Sequence, residues 1–163
     1  MKRLFPCIFA LSVTASHAAS LINLNFSGPM SAIEQQTFID AAAFWNSAII
    51  GYDALYDSIG NLTPHALTIN ASVPYIDGVN GILGSAGPQS YRYFNNDPFS
   101  PNPTIALYYA TSGIMQFDSA DVAALVAANT FYGVVLHEMA HVLGIGTMWT
   151  INNPKRENGE LAS

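Results

Sequence analysis

The segment His137-Glu138-Met139-Ala140-His141 contains the residues whose types and spacing are best suited to chemistry. Two side chains four residues apart lie on the same face of an α-helix, one turn above each other. Two imidazoles placed in this way can reach one Zn²⁺ ion at about 2 Å each, with their ring nitrogens about 3 to 4 Å apart. The sequence therefore predicts that His137 and His141 bind zinc.

Glu138 follows the first histidine directly, so its side chain is expected to project beside the metal rather than onto it. There its carboxylate can take a proton from a water that attacks a carbonyl carbon. Zinc lowers the pKa of such a water towards about 7, which makes hydroxide accessible at neutral pH. The pattern therefore predicts hydrolysis of an acyl group, with Glu138 as the general base.

The segment around these side chains is strongly apolar, with Phe131, Val134, Val135, Leu136, Met139 and Ala140. A carboxylate and two imidazoles are costly in such a helix unless they are paired or bind a metal. The alternative interpretation is two hydrogen-bonded core histidines with Glu138 at a surface. His65 stands alone after Pro64 and is interpreted as a solvated histidine in a loop.

Helix-boundary residues predict the elements that must position this pattern. Thr130 can cap a helix over residues 130–143, with Gly144 at its C′ position. An earlier helix begins at the capping box that Ser31 and Glu34 form. Its apolar residues at helical spacing, which we expect to pack in the core, are Phe38, Ala42, Trp45 and Ile49.

The other segments predict strands and turns, and their mixed order with helices indicates the α+β class. Asp118 and Asp121 have the spacing of a helix start, and that helix runs to Ala128. Residues 78–88, with four glycines and a proline, are interpreted as turn or loop, since a phosphate-binding loop would need a lysine. Residues 95–103, with three prolines, are also predicted to be loop. Strands are predicted at residues 21–26, 66–73, 104–110 and 114–117.

Residues 1–18 have the layout of a secretory signal peptide. Lys2 and Arg3 are followed by an apolar run over residues 4–13 and by small residues that end at Ala18. This run is shorter than the roughly 20 residues that span a bilayer. The mature chain, residues 19–163, is therefore expected to be secreted or periplasmic, without a membrane span.

Composition restricts the function of that mature chain. The whole sequence has 163 residues, 50% apolar and 10% charged, which suits one folded domain. Once the signal peptide is removed, three basic residues stand against eleven acidic ones, a net charge of −8. We therefore expect no nucleic-acid partner, because phosphates would not be neutralised. The one cysteine of the whole sequence, Cys7, lies in the predicted signal peptide. The mature chain, residues 19–163, therefore has no cysteine with which to form a disulfide.

Two segments resemble a known enzyme family. HEMAHVLGIGTMW, residues 137–149, and GIMQFDSAD, residues 113–121, are similar to secreted bacterial leishmanolysin-like zinc metallopeptidases of the metzincin clan. The looser similarity covers residues 21–150 approximately. By this resemblance His137 and His141 are the first two zinc ligands, Glu138 is the catalytic glutamate, and the chain turns at Gly144 towards a third ligand.

The resemblance also implies a fold, in which residues 19–163 form a metallopeptidase catalytic domain. Its N-terminal subdomain would hold a mixed twisted sheet, a packing helix and the active-site helix, with residues 114–117 as the edge strand near the cleft. The short metzincin pattern places a third histidine where this chain has Thr147. Leishmanolysin-like proteins place their third histidine and methionine turn further along, so Met148 comes too early to be that methionine.

The third ligand is therefore open. No histidine follows His141, so we expect the chain to be incomplete and a poor peptidase in this form; otherwise Glu157, Glu160 or His65 completes the site. One alternative function is a catalytically degenerate exported protein that keeps the peptidase fold. Another is an exported binding or surface protein whose helix only resembles the motif. Zinc content of the purified mature protein distinguishes both from a peptidase.

Overall fold

The computed structural model of the protein describes residues 21–49, 66–94, 107–149 and 151. The helices and strands in these residues confirm the predicted α+β class. The predicted signal peptide, the predicted loop at residues 95–103, and the candidate ligands His65, Glu157 and Glu160 lie outside the described residues. The elements, in chain order, are β1 (Ile22–Ser27), α1 (Ala32–Ala48), β2 (Leu67–Ser72), β3 (Gly84–Phe94), β4 (Leu107–Phe117), α2 (Ser119–Ala127) and α3 (Phe131–Val142).

The four strands form one mixed sheet in the order β1-β2-β4-β3. β1, β2 and β4 run parallel to each other, and β3 runs antiparallel to β4. Along β2 every second residue is buried, namely Leu67, Ile69 and Ala71, as expected for a strand with one face on the core.

Within the described ranges, no helix combines the length and the apolar character needed to cross a membrane.

β4 differs from the prediction of two short strands at residues 104–110 and 114–117. It is one strand of 11 residues that continues through residues 111–113. The turn preference of those residues is overridden because β4 is paired on both sides there, and Ser112 pairs with residues of both β2 and β3. The prediction that residues 114–117 form the edge strand is wrong, since they lie in this interior strand.

In the described part of the sheet, the edge strand next to β4 is β3. It begins at Gly84, inside the segment 78–88 that the sequence predicts to be turn or loop, so that prediction holds only for residues 78–83. Glycine and proline have poor strand propensity, and pairing with β4 overrides it. The register shifts between Pro88 and Ser90, next to the proline that cannot donate a hydrogen bond.

Each helix begins where its capping residue predicts. At the start of α1, Ser31 Oγ accepts from the N–H of Glu34 (3.3 Å), and Glu34 Oε2 accepts from the N–H of Ser31 (2.6 Å). At the start of α2, Asp118 Oδ1 accepts from the N–H of Ala120 (2.8 Å). α3 begins after Thr130, whose side chain makes no capping hydrogen bond.

The aromatic residues of α1 connect β4 to α3. Phe38 is fully buried, and its ring meets those of Phe117 and Phe131 edge-on, with centroids 5.4 and 6.0 Å away. Such pairs contribute about 0.5–1.5 kcal/mol beyond the area they bury. The indole N–H of Trp45 donates to the backbone carbonyl of Leu136 in α3 (3.2 Å). Phe38, Ala42 and Trp45 of the predicted stripe therefore pack in or against the core, whereas Ile49 follows the end of α1 and is not part of this core cluster.

Two buried carboxylates at the start of α2 hold the loop that precedes β3. Asp118 Oδ2 accepts from the N–H groups of Asp77 (2.8 Å) and Gly78 (2.7 Å). Asp121 Oδ1 accepts from the N–H of Asn80 (2.9 Å). These hydrogen bonds hold the loop of residues 77–83 against the start of α2. They therefore fix the position at which β3 begins.

α3 lies close to the sheet because β4 has a glycine beneath it. A Cβ atom at Gly113 would overlap Cγ1 of Val142 and would lie 2.9 Å from the carbonyl oxygen of Gly87. This close approach lets α3 bury Phe131, Val135, Met139 and Val142. Full burial of a side chain of this kind contributes about 1.5–3 kcal/mol.

We expect Gly113→Ala to lower the free energy of unfolding by about 1–3 kcal/mol, because the added methyl group overpacks the contact with Val142. Gly133→Ala is the matched control. A Cβ at Gly133, on the exposed side of α3, meets nothing within 4 Å, so the same change should stabilise the helix by about 0.5–1 kcal/mol. Urea unfolding measures both, and equal effects at the two positions would contradict this packing.

We also expect acid to destabilise the protein through Asp118. Backbone hydrogen bonds, above all from Ala120, lower the pKa of this carboxyl from 3.8 to about 2, while burial opposes them. Because the folded pKa is the lower one, the stability that Asp118 contributes is present above about pH 4 and is lost as the pH falls towards 2. Asp118→Asn should remove this part of the acid dependence, and Asp40→Asn, at an exposed position of α1, should keep it. Melting curves between pH 2 and 5 provide the measurement; an acid dependence unchanged in Asp118→Asn would refute the assignment.

Candidate metal centre

His137 and His141 project from one face of α3, as their four-residue spacing predicts. Their Nε2 atoms are 3.1 Å apart, within the expected 3 to 4 Å. The two rings stand nearly perpendicular, at 85°, with centroids 4.6 Å apart. His137 is exposed and His141 is half-buried, so the pair is open to solvent on one side.

A hydrogen bond selects the tautomer of His141. Its Nδ1 atom lies 2.9 Å from the backbone carbonyl oxygen of Ile145. A carbonyl oxygen can only accept, so Nδ1 carries the hydrogen, and in the neutral ring Nε2 carries the lone pair. His141 therefore presents a free electron pair on the nitrogen that faces His137.

The end of α3 brings the Ile145 carbonyl to this position. Gly144 has φ +101°, and its N–H donates to the carbonyl of His141 (3.1 Å). The N–H of Ile145 donates to the carbonyl of Ala140 (3.0 Å), so the helix ends in a Schellman motif. The prediction of Gly144 at C′ is confirmed.

The next two residues complete the support of His141. The hydroxyl of Thr147 donates to the backbone carbonyl of His141 (2.7 Å). Thr147 occupies the place where the short metzincin pattern has a ligand, and here its hydroxyl caps the helix instead. Gly146 has φ +80°, and a Cβ atom there would lie 3.6 Å from the ring of His141. Backbone thus covers one side of this imidazole.

Glu138 lies beside the two histidines. One carboxylate oxygen of Glu138 and one nitrogen from each imidazole all lie within 4.8 Å of one another. Glu138 is half-buried, and its Cγ methylene lies against the start of β3 at Gly84. In the described ranges, these three residues form the single group of potential metal ligands that converge in this way.

The distances fit a shared metal ion. Two nitrogens bound at about 2.05 Å to one tetrahedral ion are about 3.3 Å apart. The observed separation of 3.1 Å is close to this value. At this distance the lone pair of His141 Nε2 can accept a hydrogen bond from an N–H at Nε2 of His137, or both nitrogens can bind one cation through their lone pairs. Imidazole nitrogens favour ions such as Zn²⁺ over Mg²⁺ or Ca²⁺, which prefer oxygen.

Three supporting features of the site are not predicted by the sequence. These are the carbonyl of Ile145, the contact between Glu138 and Gly84, and the loop of residues 77–83 held by α2. The glycine pair in Gly144-Ile145-Gly146 is a sequence signal for the first, because two glycines so close together indicate backbone with positive φ. The other two depend on contacts between distant segments, for which a single sequence carries no signal.

The chain matches no protein-family model, no curated protein sequence and no solved structure.

We expect Gly144→Ala to weaken binding of a divalent ion about 10- to 100-fold, because it displaces the carbonyl that orients His141. An alanine at φ +101° is strained, and its Cβ would lie 3.0 Å from Met148 Sδ. Gly28→Ala is the control, since Gly28 also has positive φ (+76°) but has open space around it. Competition with a coloured chelator measures Zn²⁺ affinity; equal affinities in the two variants would contradict the role of the turn.

Proposed function

We propose that the protein is an exported zinc-dependent endopeptidase that hydrolyses peptide bonds, with His137 and His141 as metal ligands and Glu138 as general base. The observation that carries the proposal is the convergence of three groups on one helix. The Nε2 atoms of the histidines are 3.1 Å apart, and a Glu138 carboxylate oxygen lies within 4.8 Å of a nitrogen of each ring. Imidazoles without a carboxylate at this place would bind a metal but would have no base for hydrolysis.

The residues divide the chemistry between them. His137 and His141 would hold Zn²⁺ through Nε2, and His141 is kept in the correct tautomer by Ile145. The bound ion would supply Lewis acidity, which lowers the pKa of an attacking water and polarises a carbonyl. Glu138 takes the proton of that water on a carboxylate oxygen as the water adds to the peptide carbonyl. It then gives the proton to the departing amine, so the carboxylate is regenerated.

The edge strand offers a place for the peptide. In the described sheet β3 pairs with β4 on one side, and its other edge has no strand partner. An extended peptide can add to such an edge through main-chain hydrogen bonds. β3 starts at Gly84, in contact with Glu138, so a peptide on this edge would run past the base. Main-chain binding also fits an endopeptidase, because it engages the interior of a polypeptide.

Sequence features also support a cellular location and a substrate class for the proposed enzyme. Residues 1–18 have the three regions of a signal peptide, which supports a location outside the cytoplasm, secreted or periplasmic, for the proposed enzyme. The low content of basic residues favours proteins or peptides over nucleic acids as substrates. A third protein ligand remains a prediction, with Glu157, Glu160 and His65 as the candidates in this sequence.

In a form of the protein whose site has its third zinc ligand, we expect Glu138→Gln to keep Zn²⁺ affinity within about threefold and to lower hydrolysis about 10²- to 10⁴-fold, because it removes the base and spares both imidazoles. His141→Ala should lose most of the bound zinc, and with it some thermal stability. Glu34→Gln is the control and should change neither quantity, since glutamine can replace glutamate in the capping box of α1.

The measurements are zinc content and hydrolysis of casein, with and without a chelator. Hydrolysis that survives the chelator, or survives Glu138→Gln, would rule out the proposed mechanism. Absence of both bound zinc and hydrolysis would favour the two alternatives, a catalytically degenerate exported protein or an exported binding protein.

A further inference from the structure

Gly84 lies at the point where the edge strand meets the active-site helix. A Cβ atom built on Gly84 would lie 2.9 Å from Cδ1 and Cε1 of the Phe117 ring and 3.3 Å from Cγ of Glu138. Real Cβ atoms have almost no contacts as short as the first distance, and few as short as the second. The position therefore accepts only glycine without movement of its neighbours.

The backbone that leads into Gly84 is held by hydrogen bonds. The carbonyl of the preceding residue, Leu83, accepts from the N–H of Asp118 (3.1 Å). The carboxylate of Asp118 accepts from the loop at Asp77 and Gly78 (2.8 and 2.7 Å). The start of β3 is thus anchored by a buried residue at the end of β4, so it forms a fixed surface for groups packed against it.

We propose that Gly84 is a positioning residue for Glu138, and this role rests on the proposed function. A glutamate side chain has three rotatable bonds, and ordering it costs conformational entropy. The flat backbone at Gly84 lets the Cγ methylene of Glu138 rest against the strand, which limits the rotamers available to the carboxylate. The observed rotamer brings a carboxylate oxygen within 4.8 Å of both histidine nitrogens.

The contact explains why glycine is required at this place. Glu138 must accept and return a proton, so its oxygen has to be in hydrogen-bonding reach of the reacting water. A methyl group at Gly84 would push the Cγ atom of Glu138 away from the strand. Misplacement by about 1 Å can cost 10² in rate. The histidines would be unaffected, because their support comes from α3 and its C-terminal turn.

The test compares Gly84→Ala with Gly87→Ala in the full chain. Gly87 lies in the same strand, and a Cβ atom there has nothing within 4 Å, so this change should leave every measured quantity unaltered. Gly84→Ala should lower kcat for a peptide substrate about 10- to 100-fold, with KM within about threefold. Zinc affinity, measured by chelator competition, should stay within about threefold of the wild-type value.

A second variant, Phe117→Leu, separates the effect that the added methyl group has on Glu138 from the effect that it has on Phe117. Phe117→Leu removes the ring that the added methyl group would also meet, and this single variant should keep kcat near the wild-type value. Gly84→Ala combined with Phe117→Leu should still have low kcat and full zinc affinity. Recovery of kcat in the combined variant would show that Gly84 acts through the core and would overturn the proposal. Wild-type kcat in a folded Gly84→Ala variant would overturn it as well.

One measurement does not depend on activity. In isotope-labelled protein, nuclear Overhauser effects should connect the Hγ protons of Glu138 with the Hα protons of Gly84, and their absence would overturn the positioning role. A wild-type protein that shows these effects but has no chelator-sensitive hydrolysis would overturn the proposed function, and the role of Gly84 with it. Failure of the positioning role and failure of the proposed function therefore give different experimental results.

Discussion

The close approach of α3 to the β3–β4 edge of the sheet is the constraint on which the fold and the site both depend. At Gly113 the contact brings Val142 onto the backbone of β4, which seats the C-terminal end of the helix. At Gly84 it brings Glu138 onto the backbone of β3. A side chain at either position would occupy space that the helix now fills. Because packed interiors do not deform continuously, the distance between helix and sheet is set at these two points.

The ends of the helices serve a second purpose besides termination. A helix leaves four N–H groups and four carbonyl groups without partners inside it, and these must be satisfied elsewhere. At the start of α2, the capping Asp118 uses its second oxygen to hold the loop before β3. At the end of α3, the Schellman turn satisfies carbonyl groups and also presents Ile145 to the ring of His141. Groups that orient the candidate site are therefore the same groups that complete the helices.

Local sequence predicted the elements whose signals are contained within a few residues. The capping box at Ser31, the Asp118 cap and the glycine at C′ of α3 are all found, because each depends on hydrogen bonds inside one short segment. The prediction failed in β3 and β4. Glycine, proline and serine are interpreted as turns in isolation, whereas pairing with neighbouring strands stabilises them in extended conformation.

The sequence by itself determined that the two imidazoles share one face of a helix, since positions four residues apart lie one turn above each other. It also determined where that helix begins and ends. Only the tertiary structure decided which strand lies beside the carboxylate and which carbonyl orients His141. The edge strand is β3 because β4 is paired on both sides, and this pairing joins residues far apart in the chain. Such contacts depend on the relative free energies of whole arrangements of the sheet, which no single segment of the sequence encodes.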